Sequence, residues 1–195
     1  MVRSLLAVLV LVMALSGCAT IPLASIAALS SIKLETTDLA VFRVAMRLPD
    51  ALRPLSDSVR LETVTRIDGL AEKAEQFELV AVADPTELAE LGERIYPGYS
   101  VHVFALSPEG RKGLEAVRQA IAEAQAGGKP GALSLSIALK DFCTVSRLPD
   151  GPLYFTTLIK TSETGHFVVF NNRVDMRSTT EFAAALRQVQ PCVAQ

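Results

Sequence analysis

Apolar and polar positions alternate through much of this chain, and a helical period replaces the alternation only in a few bounded stretches. Residues 39–48 set Phe42, Val44, Met46 and Leu48 on one side, with Arg43 and Arg47 facing out on the other. That is the pattern of a half-buried strand, and Pro49-Asp50 ends it. Residues 59–68 alternate too, with Val59, Leu61 and Ile67 set against Arg60, Glu62, Arg66 and Asp68, before the turn signal Asp68-Gly69. A third strand is predicted over 76–83 around Phe77, Leu79 and Val80, and a fourth over 99–106.

The helical stretches carry their own start and stop signals. Asp84-Pro85-Thr86-Glu87 combines a capping side chain, a proline suited to the first turn and a glutamate where a capping box needs it. The helix it opens is short and stops by Pro97-Gly98. Ser107-Pro108-Glu109 opens the longest helix, to about residue 126. Leu114, Val117, Ile121 and Ala124 form its apolar stripe, and Arg111, Glu115, Arg118, Gln119 and Glu123 face water. The glycine- and proline-rich residues 127–131 end it.

The clearest alternation follows: Leu133, Leu135, Ile137 and Leu139 against Ser134, Ser136, Ala138 and Lys140, with Cys143 on the apolar parity of the same strand. Residues 153–161 and 166–171 form a hairpin around Ser162-Glu163-Thr164-Gly165. Ser178-Thr179-Thr180-Glu181 is a second capping box, opening a last helix with Phe182, Ala185, Leu186 and Val189 on one face. Arg47-Leu48-Pro49-Asp50 recurs as Arg147-Leu148-Pro149-Asp150, each expected at a strand end and followed by two strands and a capped helix. That is a weak case for two similar halves. Hairpin-linked strands predict an α+β domain: a mostly antiparallel sheet of about seven strands with two or three helices packed on one side.

The N-terminus does not belong to that domain. Arg3 precedes an uncharged apolar run over residues 5–15, and Leu15-Ser16-Gly17-Cys18 follows. A basic start, a short apolar stretch and small residues before a cut are the parts of a secretory signal. The run is shorter than the roughly 20 apolar residues a membrane-spanning helix needs. Leu15-Ser16-Gly17-Cys18 resembles the lipobox of bacterial lipoproteins. The resemblance implies diacylglycerol on the Cys18 thiol, cleavage before Cys18 and acylation of the new amine. Each buried methylene of such an anchor contributes about 0.8 kcal/mol. Ala19 follows Cys18 where aspartate tends to retain proteobacterial lipoproteins in the inner membrane, so the resemblance implies the outer membrane, facing the periplasm. The expected organisation is a removed signal over 1–17, a lipidated tether over 18–37 and one α+β domain over 38–195. The tether contains no glycine, and Ile21, Leu23, Ile26, Leu29, Ile32 and Leu34 make it apolar. Pro22 is placed to open a short helix, with Ile26, Leu29 and Ile32 or Lys33 sharing a face. It either lies on the lipid surface or packs back onto the domain.

Charge narrows the partners. Without Arg3 the chain has 18 basic and 21 acidic residues and no basic block, which argues against nucleic acid. Beyond the lipid on Cys18, the expected partner is an envelope protein or a lipid. Cys143 and Cys192 form an even pair in an oxidising compartment, so a disulfide is expected, with two buried free thiols or one reactive thiol as rival readings.

Catalytic patterns are sparse. There is no Gly-x-Ser-x-Gly, His-Glu-x-x-His or Cys-x-x-Cys. Gly127-Gly128-Lys129-Pro130 lacks the earlier glycine and the hydroxyl residue of a phosphate loop. Ser30-Ser31-Ile32-Lys33 has Ser-x-x-Lys spacing, but it lies in the tether and has no Ser-Asp-Asn or Lys-Thr-Gly partner. His102 and His166 have no clustered carboxylates, so no metal site, catalytic residue or cofactor is expected. The most polar spot is the hairpin loop with Ser162, Glu163 and His166, the candidate functional loop. Turns favour serine, threonine and glycine regardless of function. The leading expectation is a non-enzymatic envelope lipoprotein that binds a protein or lipid through an apolar groove or a sheet edge. A small envelope hydrolase with an unrecognised carboxylate site is the alternative, and a structural spacer a third reading.

Overall fold

The computed structural model describes residues 22–92 and 96–193. The expected signal over 1–17, Cys18 and Ala19 lie outside these residues. The chain forms an α+β domain. Seven strands make one antiparallel sheet in the order β6-β3-β4-β5-β1-β8-β9. They are β1 (Arg43–Pro49), β3 (Val59–Ile67), β4 (Lys73–Val82), β5 (Tyr99–Leu106), β6 (Gly131–Leu139), β8 (Tyr154–Lys160) and β9 (Val168–Asp175). Two short strands, β2 (Leu52–Pro54) and β7 (Phe142–Thr144), pair separately. Four helices are described: α1 (Leu23–Ser30), α2 (Pro85–Glu90), α3 (Pro108–Ala126) and α4 (Thr180–Gln188).

The sheet curls. Leu135 and Ile137 of β6 and Phe170 of β9, at its two ends, line one common cleft. Its concave face holds the main core, where Val44, Met46 and Leu48 of β1 meet Leu61, Leu79, Phe104 and Ile159. Helix α3 closes this face with Leu114, Val117 and Ile121. Its start follows the expected chemistry, since Ser107 Oγ accepts from the Gly110 N–H at 2.9 Å. Gly113 permits the close approach to β4: a Cβ there would lie 2.6 Å from the Phe77 ring. Phe182 of α4 packs edge-on to Phe155, with ring centroids 5.0 Å apart.

The convex face is covered as well, which the alternation in residues 39–48 does not reveal. Ala45, Val103, Leu158 and Phe167 form a second, smaller core with Leu91, just after α2. The helices therefore do not all pack on one side. Arg47 accordingly does not face water. It is 9% exposed, donates to Thr156 Oγ1 at 3.0 Å and lies 4.3 Å from the Tyr96 ring centroid. Arg118 departs from expectation in the same way: its side chain is 9% exposed and its Nη1 donates to Glu115 at 3.3 Å.

Other differences are local. The predicted long strand carrying Cys143 ends at Leu139, and Cys143 sits on β7 opposite Arg53 of β2. Beyond the break at Lys140-Asp141, Asp141 Oδ1 accepts the Phe142 N–H. Asp84 caps α2 through the Thr86 N–H at 2.8 Å, but Glu87 pairs with Arg43 and Lys160 instead of completing a capping box. Thr179, at the N-cap of α4, makes no side-chain capping bond; its hydroxyl donates to the Met176 carbonyl at 3.3 Å. Of the repeated tetrapeptides, the first ends β1 and the second lies in the loop between β7 and β8, so their settings differ.

Candidate functional site

The cleft where the sheet ends approach is the feature most suited to binding. It measures about 210 Å³ and is almost wholly apolar, with Leu61, Leu135, Ile137, Ile159 and Phe170 contributed by four strands. The end of α1 and the residues after it form its roof. Leu29, Ile32 and Leu34 line it, while Ile26, expected on the same face, is 49% exposed. Pro22 lacks a donor and suits a helix start, and α1 runs along β9 from there. The apolar segment over residues 22–34 thus packs on the sheet. Among the described residues, no helix is long and apolar enough to cross a membrane.

The roof is held by the polar hairpin loop. Thr37 Oγ1 lies 2.8 Å from both carboxylate oxygens of Glu163. Ser162 Oγ accepts the Asp38 N–H at 3.0 Å and also lies 3.2 Å from Glu163 Oε2. Within the loop, the Thr161 and Thr164 side chains accept each other's backbone N–H. Burial pushes the Glu163 carboxyl up, but hydrogen bonds from Thr37, Thr161, its own backbone N–H and Ser162 outweigh it and hold the carboxyl below its usual range. Ser162 and Glu163 therefore fasten the segment that follows α1 at Thr37 and Asp38. His166 is exposed beside a shallower convex-face cavity of about 400 Å³ that Arg47 and Tyr96 also line. The structure does not bring Ser162, Glu163 and His166 to one reacting centre.

His102 lies on β5 opposite Met46. Burial, then the positive charge of Arg53, lowers its pKa, and its buried Nε2 has no hydrogen-bond partner among the described residues. A second group of paired carboxylates lies on α2. Glu87 and Glu90 of α2 meet Lys160, whose Nζ is 2.6 Å from Glu90 Oε2, and Glu90 Oε1 accepts the Phe167 N–H at 3.2 Å. The hydrogen bond to Glu90 raises the Lys160 pKa against the effect of burial, with Glu87 adding to the rise. This cluster ties α2 and the Phe167 loop to the sheet. No group of three or more metal-ligating side chains occurs among the described residues.

Cys143 and Cys192, 49 positions apart in sequence, have their sulfurs at bonding distance and Cα atoms 4.9 Å apart. The backbone supports the approach, because the Cys192 N–H donates to the Thr144 carbonyl at 2.8 Å.

What the sequence does not reveal is which apolar residues share the cleft. Alternation marks Leu135 and Ile137 as inward-facing, and the apolar, glycine-free stretch before residue 37 is conspicuous. Their convergence depends on the curl of the sheet, which single-strand patterns do not encode.

The geometry defines an α+β domain with a curled antiparallel sheet and an apolar cleft roofed by its own N-terminal segment. No known family model, curated protein or solved structure matches the chain.

Proposed function

We propose that this protein is a lipid-anchored, non-enzymatic binding module of the cell envelope, held by acyl chains on Cys18 at the periplasmic face of the outer membrane. The observation that carries the reading is the apolar cleft and its roof. The roof residues Leu29, Ile32 and Leu34 follow Cys18 by 11 to 16 positions, so the segment that covers the cleft is the one that leads from the proposed anchor into the domain. At about 210 Å³ it is smaller than the roughly 300–1,000 Å³ of pockets for compact organic ligands. A narrow apolar cleft suits one flexible hydrocarbon chain, which favours a lipid over a folded protein surface as the occupant. The glutamate of the hairpin loop supports the same assignment, since it latches the roof through Thr37.

The test is recovery from membranes. Full-length protein solubilised in mild detergent and affinity-purified should carry an acyl-chain lipid detectable by native mass spectrometry, beyond the acyl groups covalently attached to it. Ile137→Trp, which fills the cleft, should reduce that occupancy severalfold. Protein recovered without lipid, or lipid retained equally by the filled variant, contradicts the reading.

A further inference from the structure

The two ends of the sheet are treated differently. At one end, α1 runs along β9. At the other, β6 pairs with β3 alone, and no described strand meets its outer edge. Exposed edges invite association with another strand, and natural sheets commonly blunt them with charge, proline, bulges or a covering element. Strand β6, Gly-Ala-Leu-Ser-Leu-Ser-Ile-Ala-Leu, contains neither charge nor proline and pairs with β3 without a register shift over nine positions. Its core-facing Leu133, Leu135 and Ile137 remain only partly buried.

The sequence of this edge is close to a palindrome about Leu135. Reversed onto itself, it sets Leu135 opposite Leu135, Ser134 opposite Ser136, Leu133 opposite Ile137 and Ala132 opposite Ala138. The strand ends at Leu139, so the self-match spans residues 132–138. We propose that β6 pairs antiparallel with β6 of a second copy of this chain about Leu135, giving a twofold dimer with one continuous sheet. In antiparallel pairing, opposite residues project from the same face, so the apolar set meets apolar residues and serines meet serines. A twofold contact requires such self-complementarity, which an edge built for a different partner does not need. Shifting the pairing by two residues loses the Ala132–Ala138 match. The dimer uses the backbone edge of the strand whose Leu135 and Ile137 side chains line the cleft, and the mass measurement reads it separately from any bound lipid.

The experiment uses full-length protein in detergent and measures its mass by sedimentation equilibrium. Ala132 and Ala138 face outward on the strand, beside Arg66 and Arg60 of β3 respectively. In Ala132→Glu/Ala138→Glu the glutamates lie beside those arginines within one copy, yet oppose each other twice across the proposed interface. The wild type should run as a dimer. The double glutamate variant should dimerise at least about tenfold more weakly while keeping its far-ultraviolet dichroism. The Ala132→Lys/Ala138→Lys variant should also weaken, and an equal mixture of the two should recover the dimer. A monomeric wild type, a dimer indifferent to these substitutions, or capture of a different polypeptide at this edge would overturn the proposal.

Discussion

The Thr37 hydroxyl and the Glu163 carboxylate, 126 positions apart in sequence, lie 2.8 Å from each other at the point where the roof of the cleft joins the domain. This contact sets an acid sensitivity. The folded state holds Glu163 below its usual pKa. The contact therefore contributes stability that is present above the unfolded value of about 4.5 and is lost as pH falls through the folded pKa. Thr37→Val should lower stability by roughly 1 kcal/mol at neutral pH, with a smaller difference from wild type in acid. Urea melts at pH 7 and at pH 3 measure this, and an unchanged difference at the two values would argue against the latch.

The roof itself is testable. Ile32→Asp places a carboxylate against Leu29 and the apolar cleft wall, at a cost of about 1–3 kcal/mol to that packing. Because α1 contacts the domain chiefly through β9, the loss should stay local. Limited proteolysis should cut faster between residues 22 and 37 while the main thermal transition moves little. Equal cutting rates would show that Ile32 does not hold the segment down.

Helix α3 approaches β4 closely at Gly113. Alanine is the better helix former by about 1 kcal/mol, so an unpacked helix would gain from Gly113→Ala. Here a Cβ would meet the Phe77 ring at 2.6 Å. Overpacking of this kind costs about 1–3 kcal/mol, so a lower melting temperature is expected. Phe77→Leu in the same chain should offset part of the loss. A rise in melting temperature for the single variant would show that the ring moves aside freely.

The approach of Cys143 to Cys192 predicts a bridge closing a long loop. Chain-entropy estimates put the loss on removing such a bridge at about 4 kcal/mol. Cys143→Ser/Cys192→Ser should melt well below the oxidised protein, and wild type should match it after reduction. Alkylation before and after reduction reads the two thiols directly; thiols already free in protein isolated from the envelope would contradict the bridge.

Sequence pattern reaches unevenly into this structure. Ser107-Pro108 and residues 127–131 bound α3 as observed, because capping and glycine chemistry are local. The strand over 99–106 is legible for the same reason. Arg47 and Arg118 are misjudged together: charge at an alternating or helical position reads as solvent-facing, and only the cover supplied by Tyr96, Leu91 and Phe167, or by the neighbouring turn, reverses it. Cys143 is displaced from the long strand because Lys140-Asp141 breaks the chain without glycine or proline to announce it. The hairpin loop stands out as polar, but its use as a latch depends on Thr37, which no motif links to it. The cleft is the least legible feature, since it joins the two ends of a seven-strand sheet.

Anchoring at Cys18 is the premise on which the proposed role rests, and Cys18→Ala tests it most directly. Cells expressing wild type or variant are labelled with palmitate and fractionated. The wild type should take up label and sediment with outer-membrane fractions, whereas the variant should lose the label and appear in the soluble fraction. A variant that still takes up palmitate and still sediments with membranes would contradict the account.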